Sequence, residues 1–274
     1  WRVRKGLFPA VGAARPPGTA VVIEDVAVPR ERLAACALDL RAAFANHGCG
    51  DAILFGHALA GNLHFVLTPR FDDAAGVAAY AALMEEVVRI VADVHGGSLK
   101  AEHGTGRNMA PFVAREWGDA ARDVMGEIKR AFDPAGLLNP GVLLDDTPGG
   151  HLCHLKSLPP VDPALDACIE CGFCERACPS RDLTFSPRQR IAALREGVRA
   201  GCDAAVSLAH EITATCAVDG SCAPACPVGI DTGAFVERRR ALAPARGLGL
   251  VARHLPVALA AARPLVVLLD RDGR

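Results

Sequence analysis

Cys168-x2-Cys171-x2-Cys174-x3-Cys178-Pro179 puts three thiols on one tight loop and a fourth just beyond it. Three thiolates so spaced can each reach a different iron of one cubane, while the fourth points toward a second cluster. Structural zinc ordinarily uses two CxxC pairs set farther apart, so the spacing favours iron–sulfur chemistry. A second run, Cys216-x5-Cys222-x3-Cys226-Pro227, repeats the pattern with Asp219 where the second cysteine would stand. Crossed ligation gives Cys168, Cys171, Cys174 and Cys226 to a first 4Fe-4S cluster. Cys178, Cys216 and Cys222 go to a second, whose last corner is Asp219 or missing. A carboxylate is a hard ligand for iron, so a three-iron cluster is the alternative there.

Earlier in the chain, His57-Ala-Leu-Ala-Gly-Asn-Leu-His64 spaces two imidazoles about a glycine. With Ala60-Gly61 as a two-residue hairpin turn, residue 57 pairs with 64 and both rings reach a single metal ion. Two histidines flanking a hairpin can equally be polar surface. Glu102-His103-Gly104 adds a carboxylate and a third imidazole in a glycine-rich setting that lets backbone approach a ligand. A helix cap and turn would use the same residues.

The elements that must position these groups follow from periodicity and breakers. Residues 20–28 are a β-branched run that reads as a buried strand. Pro29 opens a helix with Leu33, Cys36, Leu40 and Phe44 at helical spacing, ended by Asn46-His47-Gly48. Residues 52–59 and 63–68 are short apolar runs around a hairpin signal. A helix over residues 72–95 turns Val77, Tyr80, Met84, Val88 and Val91 inward. Another over residues 111–132 is expected to bury Val124, Ile128 and Phe132 before Asp133-Pro134 stops it. The order predicts an α+β first domain, an antiparallel sheet with helices on one face. Thr147-Pro148-Gly149-Gly150 and Ser157-Leu158-Pro159-Pro160 bracket a linker. Beyond it no strand pattern appears, and residues 187–214 read as helix between the cysteine runs, so the second domain is expected to be all-α.

Composition narrows the function classes. The 274 residues are 51% hydrophobic and 22% charged, which argues against disorder. A net charge of −1 leaves no basic stripe, so no nucleic-acid partner is expected. Nine of the eleven cysteines follow residue 150, an odd total in short spacings that suits metal binding in a reducing compartment. Cys153 and Cys202 fit no ligand spacing. No signal peptide is evident, and the longest apolar candidate, residues 255–269, is broken by Arg263 and Pro264. The expected location is cytoplasmic, with peripheral attachment to the inner face of the membrane as an option. A first residue Trp1 and a charged end at Asp270-Arg-Asp-Gly-Arg274 suggest a piece of a longer protein.

GHALAGNLHF, AEHGTGRN and FDPAGLLNPG, with the WRVRKG opening and the VVIEDVAVP strand, resemble the C-terminal domain of FAD-linked oxidases of the vanillyl-alcohol-oxidase type. Within that family the flavin-dependent D-lactate and D-2-hydroxyglutarate dehydrogenases are the most similar. The resemblance covers residues 1–145, and the helical spacer from 179 to 215 is similar to the two-cluster ferredoxin domain of respiratory dehydrogenases. It implies a FAD-binding domain earlier in the longer chain. It implies that His57, His64 and Glu102 hold a divalent metal, often zinc, and that His103 is the base. Arg4 would grip the substrate carboxylate, and Asn62 and Asn139 would face the flavin. The metal would acidify the α-hydroxyl, His103 would take its proton, and hydride would leave for the flavin. Ala60 stands where many members carry Asp. The lysine that binds a distal carboxylate in the hydroxyglutarate enzymes would align near Ile23, and its absence leans toward a monocarboxylate.

The expected organisation is a substrate and metal domain at 1–146, a linker at 147–163, a 4Fe-4S ferredoxin-type domain at 164–240 and the start of a further segment at 241–274. The expected function is oxidation of a D-2-hydroxy acid, D-lactate favoured, with electrons passing through FAD and the clusters to a quinone or cytochrome-type acceptor. No glycine-rich dinucleotide fingerprint follows a strand, so NAD is not expected. The alternatives are a D-2-hydroxyglutarate dehydrogenase, a non-catalytic electron-transfer subunit, and a structural zinc protein. The piece alone is expected to be inactive.

Overall fold

The computed structural model describes residues 2–145 and 147–242, with the side chains of residues 2–7 and 205 outside that description. Helix α1 (Arg2–Ala14) leads into strand β1 (Val22–Ala27) and helix α2 (Leu33–Asn46). Strands β2 (Ile53–His57) and β3 (Asn62–Leu67) and helix α3 (Ala74–Val88) follow. The three strands form one antiparallel sheet in the order β1-β3-β2. Every residue of the central strand is buried.

Alternation along β3 divides its side chains between two environments. Leu63, Phe65 and Leu67 join Cys36, Leu40 and Phe44 of α2 and Tyr80, Met84 and Val88 of α3 in the main core. That core matches the helical stripes legible in the sequence. The opposite face carries Asp25 of β1, Asn62 and His64 of β3, and Phe55 and His57 of β2, which are register partners or neighbours. One sheet face thus makes the core and the other is left for polar groups.

The hairpin register differs from the expected one. His57 pairs with Asn62, and Phe55 pairs with His64. The connection is a turn of 3-10 helix, Ala58–Ala60, closed by Gly61 at φ 68°, rather than a two-residue turn. Gly61 is required there: its carbonyl accepts from Val28 N, and a Cβ would collide with the Val28 carbonyl oxygen.

The expected third helix is two, α4 (Val113–Trp117) and α5 (Asp119–Phe132), broken at Gly118 with φ 81°. Its expected inward face is wrong. Val124, Ile128 and Phe132 are 54%, 56% and 84% exposed, and Leu137 and Leu138 just beyond are exposed too. Residues of α2 and α3 already fill the helix-bearing side of the sheet, so the apolar stripe of α5 has no core to enter. Asp133 closes α5 by accepting from Leu137 N and Leu138 N, both at 2.9 Å, and from Lys129. Those contacts, the lysine first, hold its carboxyl down at about 2.

After residue 150 the described elements are α6 (Pro187–Arg199), α7 (Ala204–Ser207), α8 (Cys222–Ala225), α9 (Thr232–Leu242) and short 3-10 or π turns. Ser186 and Gln189 form a reciprocal capping box that starts α6. A second, smaller core gathers Leu165, Ile191, Ile230, Phe235 and Val236, with Cys168, Cys216 and Cys226 packed against it. The expected linker is not free-standing: Leu152 and Leu155 pack on the first core, and Leu158 bridges to Gly18. No helix among the described residues is long and apolar enough to cross a membrane. The apolar run at 255–269 lies outside them, as does the proposed further segment from residue 243 on.

Candidate functional site

The free face of the sheet gathers three imidazoles and two carboxylates. His57 and His64 are diagonal neighbours on β2 and β3, with ring centroids 5.4 Å apart. Glu102 reaches in from the loop after α3, its Oε1 lying 3.3 Å from His57 Nε2 and 3.0 Å from His64 Nε2. His103 stacks on His64 with centroids 4.9 Å apart. Two imidazole nitrogens and a carboxylate oxygen therefore converge within 4.8 Å of one another. His64 is buried, and neither of its ring nitrogens has a hydrogen-bond partner. Buried ring nitrogens without hydrogen bonds, one of them 3.0 Å from a carboxylate, suit a cation, which the donor set of two histidines and one glutamate fits.

Asp25 sets the geometry, and sequence reasoning missed it. It pairs across the sheet with His64 and is wholly buried. Its Oδ2 accepts from Glu102 N at 2.6 Å and His103 N at 3.2 Å, so one carboxylate oxygen pins both loop residues. Its Oδ1 lies 3.5 Å from His103 Nδ1 and 3.8 Å from Lys100 Nζ. Glu24, on the core side of the same strand, pairs with Lys100 and accepts from Asn108, whose carbonyl receives the Tyr80 hydroxyl. The legible signal was Glu24-Asp25 inside an apolar strand, because buried carboxylates demand partners. Burial, and next the neighbouring His103, push the His64 imidazole below its ordinary value, while Glu102 and Asp25 oppose the shift. A neutral ring keeps its lone pair for a metal.

The cysteines form two separate cavities. One, with about 320 Å³ of empty space partly open to solvent, is walled by Cys168, Cys171, Cys174 and Cys226. The other, about 280 Å³, is walled by Cys178, Cys216, Cys222 and Asp219. The division is that of crossed ligation. Burial pushes the Cys174 thiol up to about 12, with Cys168, Cys226 and Cys171 adding to it. Thiols crowded so closely are costly to ionise without cations among them, which iron supplies. All eleven cysteines are unpaired thiols. Cys153 and Cys202 are exposed and wall neither cavity.

The N-terminal segment reaches the first cavity. Pro9 lines it. Arg15 donates to the carbonyls of Asp166 at 3.1 Å and Cys168 at 3.0 Å, and Arg195 of α6 donates to the same two. Two guanidiniums from distant parts of the sequence thus hold the start of one cysteine loop. Arg4 lies on α1, but its side chain is outside the described residues. Asn139 is exposed with φ 44°, on a loop tied to the His103 segment by Leu143 N to Gly106 O and by Arg107 to Pro140 O. Asn62 is buried on the same sheet face, directly across from His57, and its Nδ2 donates to Val26 O at 3.1 Å while its Oδ1 has no partner.

Comparison with known proteins finds two family matches. Residues 1–143 match the FAD linked oxidases, C-terminal domain, and residues 164–230 match a 4Fe-4S dicluster domain. The glycolate oxidase subunit GlcD of Bacillus subtilis is 30% identical over 142 residues, covering 50% of this chain and 28% of that protein. The D-2-hydroxyglutarate dehydrogenase of Pantoea ananatis is 28% identical over 309 aligned positions, covering 89% of this chain and 30% of that protein. A probable mitochondrial D-lactate dehydrogenase of Danio rerio is 29% identical over 147 residues, covering 54% and 29%. The chain therefore spans about three tenths of the length of these relatives.

Proposed function

The chain belongs to the FAD-linked oxidases through their C-terminal domain and continues into a 4Fe-4S dicluster domain, and from that premise we propose that it is the substrate-binding and electron-exit part of a dehydrogenase for D-2-hydroxy acids. The observation that carries the proposal is the convergence of Glu102 on His57 and His64 beside His103, in a chain that also holds two cavities walled by cysteines.

His57, His64 and Glu102 would hold a divalent metal, zinc being suited to this donor set, and a bound metal supplies a Lewis acid for the substrate's α-hydroxyl. His103 takes the hydroxyl proton at Nε2, the nitrogen turned away from Asp25. Asp25 holds the His103 and Glu102 backbone in place for that step. Arg4 binds the substrate carboxylate, and Asn139 and Asn62 line the approach to the flavin. Flavin, bound by the remainder of the protein, supplies the hydride acceptor. Cys168, Cys171, Cys174 and Cys226 hold one cluster, and Cys178, Cys216, Cys222 and Asp219 the other, which supply one-electron carriers toward a quinone or cytochrome-type acceptor. D-lactate is the favoured substrate because no lysine stands at Ile23 to bind a second carboxylate. D-2-hydroxyglutarate is the second reading, favoured by the relative of that name that aligns with 89% of the chain.

Iron, acid-labile sulfide and zinc in the anaerobically purified chain, with an EPR spectrum of the same sample, test the cluster half. About eight irons per chain means two cubanes with Asp219 as a ligand, and about seven with a three-iron signal means a missing corner. Zinc in the cysteines without sulfide would establish a structural zinc protein instead. In the full-length protein, His103→Ala is expected to abolish reduction of flavin by D-lactate and by D-2-hydroxyglutarate. Turnover that survives this change and His57→Ala would leave the first domain a scaffold for electron transfer.

A further inference from the structure

Arg190 is a buried charge in the cysteine-bearing part with no carboxylate beside it among the described residues. It projects from α6, is 1% exposed, and lines the cavity of Cys178, Cys216, Cys222 and Asp219. Its Nε donates to Ile212 O at 3.0 Å, and one terminal nitrogen lies 3.4 Å from the Thr215 hydroxyl. The other lies 4.0 Å from Cys178 Sγ. No carboxylate among the described residues lies within ion-pair distance of it. Arg195, equally buried on the same helix, has Glu170 at 2.9 Å. A guanidinium stays charged at any ordinary pH, and burying it without a counter-charge is strongly unfavourable. Carbonyl and hydroxyl dipoles soften that cost but carry no opposite charge.

We propose that Arg190 is the counter-cation of the second cluster, holding the negative charge of the iron–sulfur core and its anionic ligands and raising its reduction potential. The inference rests on the cluster reading of this cavity. Net charge, hydrogen bonds to sulfur and solvent exposure are what set cluster potentials. A fixed positive charge beside Cys178, shielded from water, favours the reduced state because that state carries one more electron. The same charge lowers the cost of gathering three thiolates and a carboxylate, so it also assists assembly. Arg190 is in this sense a positioning and tuning residue that touches no substrate.

The test uses the full chain with clusters assembled anaerobically, comparing wild type with Arg190→Lys and Arg190→Gln. Iron and sulfide are counted, and both clusters are titrated potentiometrically by EPR. Arg190→Gln, which keeps a donor and loses the charge, should move the second cluster's reduced-to-oxidised ratio at fixed potential at least tenfold toward oxidised, about 59 mV for one electron. The first cluster should not move. Loss of the second cluster from Arg190→Gln but not from Arg190→Lys also supports the inference, because charge then decides assembly. Unchanged potentials in a fully loaded Arg190→Gln overturn it. Equal loss of the cluster from both variants overturns it too, since shape rather than charge would then matter. A wild-type chain lacking the second cluster overturns the cluster reading together with this inference, and a wild type holding both isolates Arg190.

Discussion

Replacing Asp25 by Asn keeps the shape of the side chain and removes its charge. In the wild type one oxygen accepts from Glu102 N at 2.6 Å and from His103 N at 3.2 Å, while the other faces His103 Nδ1 and Lys100. An amide cannot serve both sides. If its oxygen keeps the two backbone donors, its NH₂ confronts Lys100 and the imidazole. If it flips, the two partly buried N–H groups of Glu102 and His103 lose their acceptor. Either arrangement leaves at least one donor at this partly buried site without its acceptor, at about 1–3 kcal/mol. That cost falls on the loop carrying Glu102, so it should appear as weaker cation binding. The figure corresponds to about 5- to 150-fold, in line with the 10- to 100-fold usual for partners that orient metal ligands. Titration of metal-free chain with zinc against a competing chelator measures it, with iron content as the control for folding. Affinity within about twofold of wild type, in a protein retaining its iron, would refute the assignment of Asp25 as the group that orients Glu102.

Four further outcomes are expected. Gly61→Ala should lower the melting temperature by several degrees, because a left-handed L-residue costs about 1–2 kcal/mol and its methyl meets the Val28 carbonyl; no change would mean that residue 61 does not need the left-handed conformation. Phe132→Ser should change stability by less than about 0.5 kcal/mol in this chain, whereas a loss of several would restore the helix to the core. In metal-free chain His64 should titrate below the ordinary imidazole value of about 6.5 by NMR. Its folded form then binds fewer protons than its unfolded form, so stability should fall as pH drops through about 6.5 and level off above it; a His64 that titrates higher contradicts the burial argument. Cys153→Ala and Cys202→Ala should retain all iron, while Cys178→Ala should lose the second cluster and spare the first.

Much of the first core was legible because α2 and α3 carry their apolar residues at helical spacing and bury them. Phe132 shows the limit of that reasoning. A periodic stripe reveals which residues share a face but not what covers the face, and α5 finds the helix side of the sheet occupied. The histidine pair shows the opposite case. The assumed turn was wrong, yet His57 and His64 still share a sheet face. The real register pairs residue 57 with 62 instead of 64, a slip of two. A slip of one would have sent the rings to opposite sides, whereas a slip of two preserves the face and only turns direct partners into diagonal ones. Glu102 was within reach in either register because it arrives from a separate loop.

The groups that escaped sequence reading share one property: each is a charge whose partner is distant in sequence. Asp25 meets Glu102 and His103, and Arg15 meets the carbonyls around Cys168. Arginines in a helical stretch read as solvated surface by default. In α6 that default holds for Arg188 and Arg199, which keep exposed edges and pair with Glu175 and Glu196, and fails for Arg190 and Arg195. Cysteine spacing announces itself because most ligands of one cluster come from one short run, with a single corner supplied by the other. The charges that balance a cluster obey no such rule and can approach from any element. Arg195 and Arg15 brace the first loop through carbonyls, and among the described residues only Arg190 approaches a thiol of the second with no carboxylate within ion-pair distance. On the proposal that Arg190 balances the second centre, its tuning is written in the tertiary structure, and a comparison of the two potentials reads it more directly than the sequence can.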